Sequence, residues 1–305
     1  MLYYYYVEKG ENIMKNSIRA ILAMIAILPC ALFFTACGGE KVEIAQAQQV
    51  YADAIENTTE ITTDFKIVTT MKMEMKIDQG TVKSNITSTV KKSGEITEVD
   101  GVKNYDNVKL YTKIKGSASM GKATEKMDSE AILGKIDDNF YTVDKKNKTY
   151  VEADEYDIAE LSGALTSILG ESSVEMPISP SDFMEVDFES ETMKVSAEKF
   201  GSDKYVVTVK GYEIVDYGMS QIKINGKAKI TLKGGKLAEI SLDFKIYTPK
   251  ADADLSGDVV DPSLFTEQSM KIKCTMKVTY GKQSIDDMPA SLEGYKKVAD
   301  SLVIA

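Results

Sequence analysis

Apolar and polar residues alternate along most of the chain, and the alternation keeps its sense over long stretches. Ile67, Met71, Met73, Met75 and Ile77 share one side, while Lys66, Lys72, Glu74, Lys76 and Asp78 share the other. Val82, Ile86 and Val90 repeat the pattern, as do Val108, Leu110, Thr112 and Ile114. Met193, Val195 and Ala197, then Tyr205, Val207 and Val209, resume it later. A period of two predicts strands, because successive side chains of an extended backbone point to opposite faces. Alternation this regular predicts an antiparallel sheet with one dry face and one wet face. Phe140–Val143 and Thr149–Glu152 flank the polar run Asp144-Lys145-Lys146-Asn147-Lys148, which predicts a hairpin.

One stretch predicts its own register. A turn at Asn225-Gly226 would set Ile222 against Lys229 and mix the faces, so the strand is expected to run on through it. A three-residue loop Gly234-Gly235-Lys236 pairs Ile230 with Ile240, Ala228 with Leu242 and Ile224 with Ile246. A two-residue Gly-Gly turn would set Ile230 against Glu239, and is rejected on that ground. The last strand is expected to carry Ile272, Cys274, Met276, Val278 and Tyr280 inward and Lys271, Lys273, Thr275 and Lys277 outward.

Three segments break to a period of three and four. Ile44, Ala47, Tyr51, Ala54 and Ile55 predict an amphipathic helix from Ile44 to about Glu60. Ile158, Leu161, Leu165, Ile168 and Leu169 predict a second, ended by Gly170, with Pro177 and Pro180 marking a turn beyond it. Leu292, Tyr295, Ala299 and Leu302 suggest a helical tail. The expected fold class is therefore α+β, an antiparallel sheet packed on helices. With no repeat and no linker, residues 44–305 read as a single domain.

The start of the chain reads as an address. Lys15 and Arg19 precede an uncharged run from Ala20 to Ala36, interrupted by Pro29 and Cys30, and then Cys37-Gly38-Gly39. A basic segment, an apolar run and small residues before a cleavage point describe a signal peptide over residues 1–36. Translation is expected to begin at Met14, since residues 1–13 with Tyr3-Tyr4-Tyr5-Tyr6 fit no signal segment. Residues 37–43 then form a tether.

Composition narrows the chemistry. There is no His and no Trp, and Arg19 is the only arginine, so His-dependent catalysis, His metal sites and arginine forks are excluded. Removing residues 1–36 takes away three of 37 basic and two of 47 acidic residues, moving the net charge from −10 to −11. A surface of that charge is expected to repel nucleic acid and anionic headgroups. Cys30 is lost with residues 1–36, which leaves Cys37 and Cys274, and no internal disulfide is expected once the Cys37 thiol is otherwise occupied. Ser88 to Lys91 and Ser196 to Lys199 match Ser-x-x-Lys, a spacing that so many lysines produce by chance. No catalytic residues are assigned, no cofactor is expected, and the chain is not expected to be an enzyme.

Asp252, Asp254, Ser256 and Asp258, with Gly257 between, echo the start of a calcium loop. The bidentate Glu expected at its end is Ser263, so an acidic solvated loop is the preferred reading and weak calcium binding the alternative.

The segment Thr35-Ala36-Cys37 after an apolar run resembles the lipobox of bacterial lipoproteins, with Phe34 where that family usually has Leu. The resemblance implies diacylglycerol on the Cys37 thiol, cleavage before it, and attachment to the extracytoplasmic face of the cell membrane. The order of helix, long one-sided strands, mid-chain helix and more strands resembles the half-barrel lipoproteins and carriers of the LolA, LolB and mycobacterial LppX/LprG kind. It is similar also to lipoproteins of Gram-positive bacteria that share this shape. That family implies a curved sheet with an apolar cavity that in some members holds acyl chains. Here the lining would comprise Ile67, Met71, Met73, Met75, Ala228, Ile230, Leu242, Cys274 and Met276. Methionine is flexible and polarizable, and suits a surface that adapts to an alkyl ligand. The rival reading is a structural or protein-interaction lipoprotein whose core these residues simply fill. Cu(I) capture by Met71, Met73 and Met75 would need donors from a second methionine-bearing strand, and none is identified from the sequence.

Overall fold

The computed structural model describes residues 39–59, 64–77, 80–99, 102–154, 192–217, 220–250 and 262–298. The signal segment, Cys37, the helix expected after Ile158 and the acidic loop at Asp252–Asp258 lie outside the described residues. In chain order the elements are β1 (Glu40–Val42), α1 (Ile44–Thr59), β2 (Phe65–Ile77), β3 (Gly80–Ser93), β4 (Thr97–Val99) and β5 (Val102–Asn104). Then follow β6 (Lys109–Met120), β7 (Ala123–Ile136), β8 (Asn139–Asp144), β9 (Thr149–Ala153) and β10 (Met193–Phe200). The chain continues with β11 (Lys204–Tyr217), β12 (Ser220–Lys233), β13 (Lys236–Pro249), a 3-10 turn (Pro262–Leu264), β14 (Phe265–Tyr280) and β15 (Lys296–Lys297).

Thirteen strands form one open sheet in the order β1-β10-β11-β12-β13-β14-β2-β3-β6-β7-β8-β9-β15, and β4 and β5 form a separate ribbon. All pairings are antiparallel except β15 on β9. The edges are short and charged, Glu40-Lys41 at one and Lys296-Lys297 at the other, which discourages pairing with a second sheet.

The expectation of a sheet packed on several helices is corrected here: the fold is mainly β, and α1 is the one α-helix among the described residues. At the C-terminus Leu292 and Tyr295 lie in non-helical backbone, while Ala299 and Leu302 of the expected helical tail lie outside the described residues. Pro289 and Gly294, the latter in the left-handed region at φ 79°, interrupt any helix there. Residues 282–298 run as a strap across β7–β9. Asp287 accepts from Lys109 Nζ at 2.5 Å, and its carbonyl accepts from Lys145 Nζ. The Lys109 hydrogen bond holds the Asp287 carboxyl below its ordinary pKa. Met288 lies against Gly134, where a Cβ would come 3.1 Å from Met288 Cγ.

The tether is also shorter than expected. Glu40–Val42 pairs with β10, and a Cβ on Gly39 would meet Phe200 Cζ at 2.8 Å. Only Gly38 separates Cys37 from a residue already packed on the sheet.

The predicted register holds: Ile230 opposes Ile240, Ala228 opposes Leu242 and Ile224 opposes Ile246. The strand runs through Asn225-Gly226 as expected. The loop does not match. Lys233 pairs with Lys236 across a two-residue turn, Gly234 and Gly235 both lying at positive φ (58° and 68°) as a type I′ turn demands. The register shifts by one between Thr231 and Leu232, which leaves Ala238 as the extra residue of a bulge. Tight turn and apolar pairing are thus both kept. The Asp144 hairpin forms as predicted, with Asp144 Oδ1 accepting from the Asn147 amide at 2.8 Å.

Gly226 sits opposite Phe244, whose ring lies where a side chain would be: a Cβ there would fall 2.1 Å from Phe244 Cδ1 and 2.6 Å from the Asp243 carbonyl. Gly226→Ala is expected to destabilise the protein by at least the ~1–3 kcal/mol typical of overpacking. Urea unfolding checks this, and an unchanged midpoint would show that the ring does not occupy that space.

Candidate functional site

Because antiparallel Cα partners place side chains on the same face, the register gathers one apolar face across the sheet. It divides into two halves of different character.

The first half lies under α1. Ala47, Tyr51 and Ala54, spaced one helical turn apart, are buried against Phe65, Ile67, Ala197, Val207, Val209, Ala228, Ile230, Leu232, Leu237, Leu242, Phe244, Cys274, Met276 and Val278. The small residues Ala47 and Ala54 let the helix approach β10 and β13 closely. Each aliphatic side chain sealed here contributes about 1.5–3 kcal/mol. Tyr280 closes the end by donating its hydroxyl to the Leu237 carbonyl at 2.7 Å. Burial pushes the Cys274 thiol up to about 11, so at neutral pH it is an uncharged core group and no nucleophile. Burial likewise raises the Tyr51 hydroxyl above its ordinary value.

The second half carries most of the methionines of this face, and none of its described members belongs to α1. Met71, Ile222, Ile224, Ile246 and Ile272 are buried, with Met73, Ile86 and Met270 packed around them. Met270 directly opposes Met75, which opposes Val82, which in turn opposes Met120. Exposure rises steadily outward, from 8% at Met71 to 39% at Ile77, 37% at Met127 and 44% at Met120. The described side chains thus grade from core to an apolar, solvent-facing tip.

The structure therefore separates the sequence-predicted lining residues. Ile67, Ala228, Ile230, Leu242, Cys274 and Met276 belong to the half filled by α1. Met71 and Met73 belong to the other cluster, and Met75 extends it. Sequence reasoning missed Met270, Ile272's partnership with Met73, and Met120 and Met127. Met270 was within reach, since it continues the inward alternation of Ile272 and Cys274 by one more step. Met270 also supplies a thioether on a neighbouring strand, but Ile272 opposite Met73 and Val82 opposite Met75 make the surroundings chiefly aliphatic.

A buried lysine borders the site. Lys92 is fully buried opposite Phe65 and Leu110, and its Nζ donates to the Gly94 carbonyl at 2.8 Å. Desolvation lowers its pKa, against the pull of Asp64 and Glu95. Asp64 in turn accepts from the Gly94 amide at 2.9 Å and from the Gln283 amide at 3.3 Å, so this cluster ties the strap to the sheet. Among the described residues no group of three or more cysteines and carboxylates is placed to hold a metal ion. No described helix is long and apolar enough to cross a membrane.

No family model and no curated protein matches the chain. Among solved structures it is similar to the translocator domain of autotransporter NalP from Neisseria meningitidis, at 9% identity over 78% of this chain and 95% of that one, with a TM-score of 0.20. It is also similar to the enduracididine biosynthesis enzyme MppR complexed with pyruvate, at 5% identity over 72% and 88%, with a TM-score of 0.13. Likeness at those scores carries no argument about fold or function.

The division of the face predicts a chemical silence. In the chain from Gly38 onward, Cys274 is expected to resist a thiol reagent such as DTNB under native conditions and to react fully in guanidinium. Rapid native labelling would mean that α1 does not seal its half.

Proposed function

We propose that this chain is an extracytoplasmic lipoprotein, held on the cell membrane by acyl chains on Cys37, that binds an alkyl-chain ligand on the methionine half of its apolar face. The observation that carries the reading is the graded row of Met71, Met73, Met75, Met270 and Met120, buried at one end and open to solvent at the other. Flexible thioether side chains between isoleucines adapt to an alkyl chain without demanding one shape. The lipobox-like Thr35-Ala36-Cys37 supports the anchor, and two acyl chains suffice for stable attachment. The half-barrel likeness to carriers of the LolA kind belongs to the same reading.

A filled core without a ligand is the second reading, and the α1-covered half favours it for the residues it contains. Native mass spectrometry of the chain from Gly38 to Ala305, which includes every described element, separates the two. A stoichiometric lipid-sized adduct is expected, lost in Met73→Lys/Met75→Lys while the urea midpoint stays close to the parent's. An empty protein that also fails to bind a fluorescent fatty acid would leave only the second reading.

The anchor is tested on its own. Labelled palmitate is expected to follow the full-length chain in cells and to vanish in Cys37→Ser. Label that persists in that variant, or never appears, would remove the lipoprotein assignment.

A further inference from the structure

The face opposite the methionines is cationic, although the chain as a whole carries a net charge of −10. Among the described side chains of β12, β13, β14 and β2 the carboxylates of this face are Glu74, Asp243 and Glu239, and each is already matched. Glu74 pairs with Lys83 at 3.6 Å, Asp243 with Lys273 at 2.5 Å and Glu239 with Lys277 at 3.6 Å. Lys66, Lys72, Lys227, Lys229, Lys245 and Lys271 add six further ammonium groups to that face, of which Lys227 stands opposite Asp243 and Lys271 opposite Glu74, carboxylates already engaged by Lys273 and Lys83. Some stand directly against another ammonium: Lys245 opposes Lys271, and Lys72 opposes Lys273. Like charges in such pairs destabilise a sheet, and the Asp243 paired with Lys273 and the Glu74 opposite Lys271 offset this only in part, since lysines outnumber carboxylates on the face.

We propose that this lysine face docks on a bilayer surface rich in anionic phospholipid. The lysine area is four neighbouring strands wide, about 15–20 Å by about 40 Å. It is a sheet face bordered on one side by the buried Val206 and Thr208 of β11, and on the other it continues over β3 and β6 to the strap over β7–β9. An extended face suits a planar partner. With no arginine beyond Arg19, the charges are lysine ammonium groups that attract phosphates diffusely without bidentate recognition. Gly39 is packed against Phe200 at the edge of the same sheet, so an acylated Cys37 would hold that edge within about 10 Å of the bilayer. This last step rests on the lipoprotein reading; the charge argument does not. One lipid attachment plus a polybasic patch is a recognised two-part anchor. The average acidity of the sequence had suggested repulsion from such headgroups, but acidity is not spread evenly over the fold.

The test uses the unacylated chain from Gly38 to Ala305 and vesicles of phosphatidylcholine, with or without abundant phosphatidylglycerol. Co-sedimentation is expected only with the anionic vesicles and is expected to disappear at high salt. Lys245→Gln/Lys271→Gln should weaken it roughly 30-fold, at about 1 kcal/mol per lysine near the surface. Lys103→Gln/Lys122→Gln, which removes the same net charge elsewhere, should leave it nearly unchanged. Lys72→Gln/Lys229→Gln repeats the test should the first pair lower the urea midpoint. No binding, equal binding to both vesicle types, equal loss in both kinds of variant, or capture of soluble polyphosphate without vesicle binding would each overturn the proposal. None of these results bears on acylation of Cys37 or on the alkyl ligand, which are read by other measurements.

Discussion

The structure depends on one constraint: the backbone register must stay in phase across strand after strand. The row Val207, Ile230, Ile240, Met276 runs over four strands through direct Cα partners. A slip of one residue at any junction would carry every later apolar side chain to the wet face and every lysine to the dry one. The bulge at Ala238 shows how the constraint is met locally. The Gly234-Gly235 turn alone would put Ile230 opposite Glu239; one extra residue restores Ile240 to that place.

That example also marks what was legible in the sequence. Pairings that follow from apolar-with-apolar matching could be read directly, and the three predicted between Ile224 and Ile246 hold. The turn type could not, because a bulged alanine has no composition of its own and a longer loop satisfies the same pairings. The strap escaped for a related reason. Leu292 and Tyr295 stand at a helical spacing, but Pro289, Gly294 and the contacts of Asp287 decide the backbone, and those contacts are made with residues far earlier in the chain. The short tether escaped because the Gly39–Phe200 approach joins positions that no local pattern relates.

The candidate site was legible in kind and blurred in extent. Alternation placed Ile67, Met71, Cys274 and Met276 on one face, as they are, yet it has no means of saying where a helix lies across that face. The position of α1 depends on Ala47 and Ala54 meeting β10 and β13, a tertiary fit. Once α1 is placed, a methionine under it is core and a methionine beyond it is a graded surface. The same residue type thus carries two meanings separated by a few residues along β14: Met276 in the first cluster, Met270 beside the second.

Net charge is the quantity that misleads most. It sums over a chain whose sheet has two faces, and strands such as Met71-Lys72-Met73-Glu74-Met75-Lys76 contribute to both at once. Neighbours in sequence therefore belong to different environments, while partners four strands away share one. An apolar ligand on one face and phosphate headgroups beneath the other would be served by alternate residues of the same strands, with the backbone ladder between them. Changes to the lysines would then reach the methionines only by shifting that ladder. A shift of that kind would disturb the register itself, and so would appear as lost stability before it appeared as altered binding.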